Sequence, residues 1–237
     1  AISFAKDIPL VGVQHIQGHI CANYIEHKEL EPPFIALVVS GGHTSIIEVI
    51  DYNNLKVLGG TRDDAAGEAF DKVARVIGLG YPGGPKIDIA AKTGNPEAIH
   101  FKRVFLVINS RDFSFSGLKT GVLNYINSEK QAGREINISD VSASFQQAVL
   151  DVIVKKAIDA VISLGKDKLV VAGGVAANSK LREMLQTECK EKGLKLYFPS
   201  PILCTDNGAM IGCAAYYKYK SNKADDLTLD VIANLPL

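Results

Sequence analysis

Phe34-Ile-Ala-Leu-Val-Val39, Ser40-Gly-Gly-His-Thr44, Ser45-Ile-Ile-Glu-Val-Ile50 is the stretch that decides the fold. Its first six residues are continuously apolar, which predicts a strand buried on both faces. Two glycines and a histidine turn the chain, and Ser45–Ile50 returns as a second strand. Asp51-Tyr-Asn-Asn54 is a turn cluster, and Lys56-Val-Leu58 reads as a third strand, completing an antiparallel meander. Downstream, Leu169-Val-Val-Ala172 is another buried strand. Gly173-Gly174 lets the chain turn directly into a helix beginning near Asn178, and Lys195-Leu-Tyr-Phe198 follows by a crossover of the βαβ type. A meander joined to a parallel crossover predicts an α/β fold.

Working outward, Arg62–Gly78 is helical in pattern, with Ala66, Ala69, Phe70, Val73, Ala74 and Ile77 on its apolar face. Gly78-Leu-Gly-Tyr-Pro-Gly-Gly-Pro85 is a stiff loop, and a short helix through Ile87 ends at Gly94. Residues 101–116 read as irregular to β, and a helix runs from Leu118 to Ile126. A long helix capped by Ser139 or Asp140 reaches Leu164, with Val141, Phe145, Val149, Val152, Ile153, Ala157 and Val161 facing inward. Upstream, Ala1–Ile8 resembles the tail of a helix, and Pro9–Val13 is a predicted strand leading into a helix with His15 and His19 near its start. Glu31-Pro32-Pro33 breaks the chain and marks a lobe boundary. Near the other end, Pro199–Asp206 leads into a small-residue helix from Ala209 to Tyr217, and the tail after Ser221 carries no signal.

The 237 residues are 47% hydrophobic and 22% charged, the balance of an ordinary soluble globular protein. No run approaches the roughly 18 apolar residues of a membrane span, and the opening lacks the basic start and apolar core of a signal peptide. Cys21, Cys189, Cys204 and Cys213 are scattered without a C-x-x-C pair, which argues against structural zinc and fits a reducing, cytoplasmic setting. Formal charge is zero. Lys180, Arg182, Lys190, Lys192 and Lys195 cluster, as do Lys218, Lys220 and Lys223; both groups read as solvated helix faces.

Four places carry chemistry. His15 and His19, four residues apart, lie one above the other on one helix face and can aim two imidazoles at one metal ion. Asp206 precedes a helix, where it either caps exposed amides or acts as a third ligand. Ser40-Gly41-Gly42-His43 and Gly173-Gly174-Val-Ala-Ala-Asn178 offer backbone amides close to a strand end, suited to phosphate or carboxylate groups. Val11–Tyr24 and Leu196–Tyr217 echo each other as strand, polar residues and small-residue helix, which suggests two lobes sharing a cleft.

Taken together, HIQGH at 15–19, VSGGHT at 39–44, DDAAGEAFDKVAR at 63–75, GYPGGP at 80–85, FSFSGLKT at 113–120, VAGGVAAN at 171–178 and CTDNGAMI at 204–211 resemble the bacterial TsaD family, in collinear order across nearly the whole chain. The resemblance implies an actin-like ATPase (ASKHA, ribonuclease H-like) fold. It also implies a tRNA N6-adenosine threonylcarbamoyltransferase, which moves the threonylcarbamoyl group from threonylcarbamoyl-AMP to the adenosine 3′ of the anticodon in tRNAs reading ANN codons. By the same resemblance His15, His19 and Asp206 hold one divalent metal, iron or zinc. Val38, Val39, Ser40, Gly41, Gly42, Asp71, Gly84, Asp88 and Asn178 fall at substrate-binding positions, supported by His43, Glu68, Gly173 and Gly174. The implied partners are tRNA and TsaB-like and TsaE-like proteins, with no membrane.

The sequence departs from the family pattern at Gln17, where Glu is usual, and at Gln14, where Asn is common. At Val38, where archaeal relatives offer a tyrosine ligand, the side chain cannot ligate. The family's opening strand and most of its first lobe have no counterpart. Residues 1–31 are expected to be a first-lobe remnant, and 33–237 a complete second lobe with a helical insertion around 63–165. Three rival readings follow. One is a non-catalytic nucleotide-binding scaffold or inactive fragment. Another is a metallopeptidase, which would need a glutamate where Ile16 stands. The third is an ATP-hydrolysing or sugar-phosphorylating relative of the same fold, which predicts nucleotide affinity without a His-His-Asp metal site.

Overall fold

The structure, a computed structural model, describes residues 1–106, 110–221, 224–233, 235 and 237. The apolar run is strand β1 (Phe34–Val39), buried at every residue. It lies at the centre of a five-stranded sheet ordered β3-β2-β1-β4-β5. Strands β2 (Thr44–Asp51) and β3 (Asn54–Gly60) extend it on one side as the antiparallel meander. On the other side, β4 (Lys168–Ala172) and β5 (Lys195–Tyr197) pair in parallel. The chain leaves β1 in one direction and β4 in the other. Ligands of open α/β sheets gather at such a switch point, beyond the carboxyl ends of the strands.

Helices cover both faces. On one lie α2 (His15–Glu26) and α9 (Gly208–Lys220), whose Ile16, Ile20, Tyr24 and Ala214 share a buried cluster with Phe34, Ala36 and Val38 of β1 and Val170 of β4. On the other, α3 (Ala66–Val76), α4 (Gly83–Ala91), α5 (Ser116–Gln131), α6 (Ile138–Ser163) and α7 (Ser179–Glu191) form the larger core around Phe70, Phe113, Phe115 and Phe145. The inward residues expected along α6 are all buried. Two short helices, α1 (Ile2–Lys6) and α8 (Pro201–Cys204), and a 3₁₀ turn at Gly174–Ala177 complete the described elements. No described helix is long and apolar enough to cross a membrane.

Several expectations are corrected. Pro9–Val13 is not a strand: it forms one isolated bridge, Leu10 with Asp225, and a strand needs a neighbour with which to exchange successive backbone bonds. The tail read as silent holds the segment instead, since the Asp225 side chain also accepts from the Gly12 N–H (2.7 Å) and pairs with Lys218 (2.7 Å). The long helix is capped by Asn137, whose side chain accepts from the N–H groups of Ser139 and Asp140; Asp140 instead holds the N–H of Asn95. Helix α3 begins at Ala66 rather than Arg62 because Thr44 Oγ1, from the neighbouring strand, accepts the Ala66 N–H (2.9 Å). Lys223 and residues 107–109 of the irregular stretch lie outside the described residues.

Candidate metal centre

Helices α2 and α9 run side by side in the same direction, Gly18 against Met210 and Ile211, and Tyr24 against Tyr217. A Cβ on Gly18 would stand 3.0 Å from Ile211 Cδ1, so the missing side chain sets the closeness of the pair. Their N-termini therefore meet. The cap of α9 is Asn207, whose side chain accepts the Met210 N–H at 2.8 Å. Asp206 is relieved of that task, and its Oδ1 stands 3.3 Å from His15 Nε2 and 3.2 Å from His19 Nε2.

The donor set fits a metal ion. One ligand atom from each of the three residues falls within 4.8 Å of the others. The two His–Asp separations match the roughly 3.0–3.6 Å between donors bonded at about 2.0–2.2 Å to one ion, whereas an imidazolium–carboxylate bond is shorter, about 2.7–2.9 Å. His19 is 2% exposed, and burial, reinforced by His15 and opposed by Asp206, holds its pKa below the ordinary value. A neutral imidazole is the form a metal requires. The ring's Nδ1 is buried without a partner among the described residues, so its polar engagement runs through Nε2. Burial and His15 likewise depress His43. Ile16, beside His15, is core, so no carboxylate follows the first histidine.

The remaining candidate positions line up beyond the ends of β1 and β4. Val38 and Val39 are wholly buried and form the floor. Ser40 closes the turn, its N–H donating to His43 O and its Oγ accepting the His43 N–H. Gly173, at φ 91°, passes so close that a Cβ would lie 2.5 Å from Val39 O. Gly67 N–H donates to Ser40 O (3.2 Å), which joins α3 to the turn. One helical turn on, Asp71 accepts the Gly83 N–H (2.6 Å), and Asp88 accepts the N–H and hydroxyl of Ser179 (3.1 and 2.9 Å). Glu68 pairs with Lys72, which also holds Asp64. Asn178 is 8% exposed and caps α7 through Leu181 N–H.

Gly41, Gly42, Gly84 and Gly174 have no positive φ, and nothing lies within 4 Å of a Cβ built on them. Neither backbone conformation nor internal packing requires glycine there; a group approaching the main chain from outside would. Sequence reasoning missed Asn207 as the cap and Asp63, whose carboxylate accepts from Phe115 N–H (2.9 Å), Ser114 Oγ and Ser116 Oγ and so seats the start of α5. The adjacent Asp206-Asn207 and Asp63-Asp64 pairs held the signal, but nothing in the sequence said which member did which task.

Comparison with known proteins gives a concordant picture. A model of the TsaD family, described as tRNA N6-adenosine threonylcarbamoyltransferase, matches residues 1–213. The tRNA N6-adenosine threonylcarbamoyltransferase of Clostridium botulinum (strain 657 / Type Ba4) is 58% identical over 236 residues, spanning 100% of this chain and 69% of the relative. That of Clostridioides difficile (strain 630) is 53% identical over 237 residues, spanning 100% and 70%. Among solved structures, the crystal structure of full-length HypF in its phosphate- and nucleotide-bound form superposes with a TM-score of 0.69 at 18% identity. It covers 93% of this chain and 38% of that one, a likeness of fold.

Proposed function

The chain belongs to the TsaD family, transferases of actin-like ATPase fold, and from that premise we propose that it makes threonylcarbamoyladenosine in tRNA. The group moves from threonylcarbamoyl-AMP to N6 of the adenosine 3′ of the anticodon, in tRNAs reading ANN codons. The observation that carries this reading is the meeting of His15, His19 and Asp206 beside the exposed glycine turn. One divalent ion, iron or zinc, is held by those three side chains and supplies Lewis acidity to the carbamoyl group.

The chain's own groups do the placing. The amides of Ser40, Gly41 and Gly42 receive the phosphate, as backbone N–H groups in a tight turn do. Asp71 and Asp88 accept the ribose hydroxyls; each carboxylate oxygen already bonded to protein retains a second lone pair. Glu68, His43, Gly173 and Gly174 shape the wall, and Asn178 anchors the nucleotide end. The exocyclic amine attacks the carbamoyl carbon, the bond from that carbon to the phosphate oxygen breaks, AMP leaves, and the amine gives up one proton. On the same reading, residues 1–31 close a first lobe, 33–237 form the second with a helical insertion around 63–165, and TsaB-like and TsaE-like proteins assist in the cytoplasm.

The test is to incubate the metal-loaded chain and those partner proteins with threonylcarbamoyl-AMP and tRNA, then digest the tRNA and weigh its nucleosides. Threonylcarbamoyladenosine is expected, and is lost with His19→Ala. Its absence with the unaltered chain overturns the reading.

A further inference from the structure

Pro9–Val13 carries the chain into α2 without a strand ladder to fix it. What holds it is a closed set of bonds around Gly12. The Asp225 carboxylate accepts the Gly12 N–H (2.7 Å), Lys218 Nζ donates to the Gly12 carbonyl (2.9 Å), and the same Nζ pairs with Asp225 (2.7 Å). The Asp225 N–H donates in turn to Leu10 O (2.8 Å). Both backbone groups of Gly12 are therefore taken, the carbonyl by α9 and the N–H by the tail. Leu229 lies on the same residue, its Cδ2 2.8 Å from where a Cβ on Gly12 would stand. Two residues on, the Gln14 side chain caps α2 by accepting the Gln17 N–H and donates to Leu235 O (3.1 Å).

The two histidines of the metal centre differ in what else places them. His19 is buried, so packing of the helix on the sheet fixes its ring. The His15 side chain is 49% exposed, and its position follows from where the backbone enters the helix, three residues after Gly12. Lys218 belongs to α9, the helix that Asp206 leads into, so the bonds at Gly12 tie the entry of one ligand-bearing helix to the body of the other. Lys218 and Asp225 are each 26% exposed, and the ammonium also holds a carbonyl. They are not a fully exposed ion pair of the kind that contributes little.

Resting on the metal reading proposed above, we infer that Lys218 and Asp225 are positioning residues for the metal centre. Acting through Gly12, they hold the start of α2 so that His15 Nε2 meets the point reached by His19 and Asp206. Groups that orient a ligand without touching the ion change metal affinity by about 10–100-fold when removed.

Titration of the full chain with cobalt(II), a coloured divalent ion that takes nitrogen and oxygen donors, tests this. Lys218→Met and Asp225→Ala should each weaken cobalt binding about tenfold or more. Each should also change the visible ligand-field band at saturation, because His15 no longer meets the ion in the same geometry. Lys166→Met is the control. It breaks a pair with Glu48, which alternates with Ile47 and Val49 and so points away from the sheet face that α2 covers. It should leave affinity and band unaltered, whatever it does to the urea midpoint. Two variants at Gly12 cover the case in which one fails to fold. Wild-type affinity or a wild-type band in a folded Lys218→Met or Asp225→Ala, or an equal loss in Lys166→Met, overturns the inference. An unaltered chain that binds no cobalt overturns the metal reading itself.

Discussion

Asp206 and Asn207 show how adjacent polar residues divide two tasks that one alone could not perform. A helix N-terminus attracts a carboxylate, and a carboxylate spent on capping has less to offer an ion. Here the amide caps and the acid remains free, within 3.3 Å of both imidazoles. Asn207→Ala should cost about 1 kcal/mol of stability, as lost caps do, with little change in metal affinity. Asp206→Ala should leave the denaturation midpoint of the metal-free protein unchanged. It should weaken metal uptake by more than about 100-fold, since even a residue that only orients a ligand costs about 10–100-fold. Metal titrations and urea melts of both variants check the division. Gln146 and Asn178 repeat the pattern, one side chain capping α7 and orienting the other.

Among elements, the connections that position the candidate site come from outside each element's own sequence. Thr44 starts α3, and Asp63 starts α5 from 52 residues away. Burial works to raise the pKa of Asp63, but hydrogen bonds from Ser114, Phe115 and Ser116 outweigh it and leave the value below the ordinary 3.8. A carboxylate whose pKa is lower folded than unfolded adds stability that is fully present above the unfolded value and lost as pH falls through the folded one. Asp63→Asn should therefore lower the denaturation midpoint at pH 6, and its gap from wild type should narrow below about pH 4. A gap constant from pH 6 to pH 3 would refute the linkage.

For the whole molecule, the proposed ion ties residue 15 to residue 206 across the length of the chain. Loading iron(II) or zinc should raise the thermal midpoint, by the equivalent of about 2.7 kcal/mol at a free metal concentration 100 times Kd. A chelator should reverse the gain, and Asp206→Ala should show none. At the same scale, most of the described basic residues in the two lysine-rich groups are paired within the chain. Lys180 pairs with Glu183, Lys192 with Glu188, Lys195 with Asp167 and Lys218 with Asp225, while Arg182 is bound to the carbonyls of Ala176 and Pro199. The sequence by itself determined the five strands of the sheet, the order of the helices and the candidate ligands, because apolar period, glycine placement and an i, i+4 spacing are local properties. Only the tertiary structure decided that Pro9–Val13 bridges the tail instead of joining the sheet, that Asn207 and not Asp206 caps α9, and that Asn178 caps α7 while holding Gln146. Each depends on which groups from distant residues remain unpaired once the two helical layers close on the sheet.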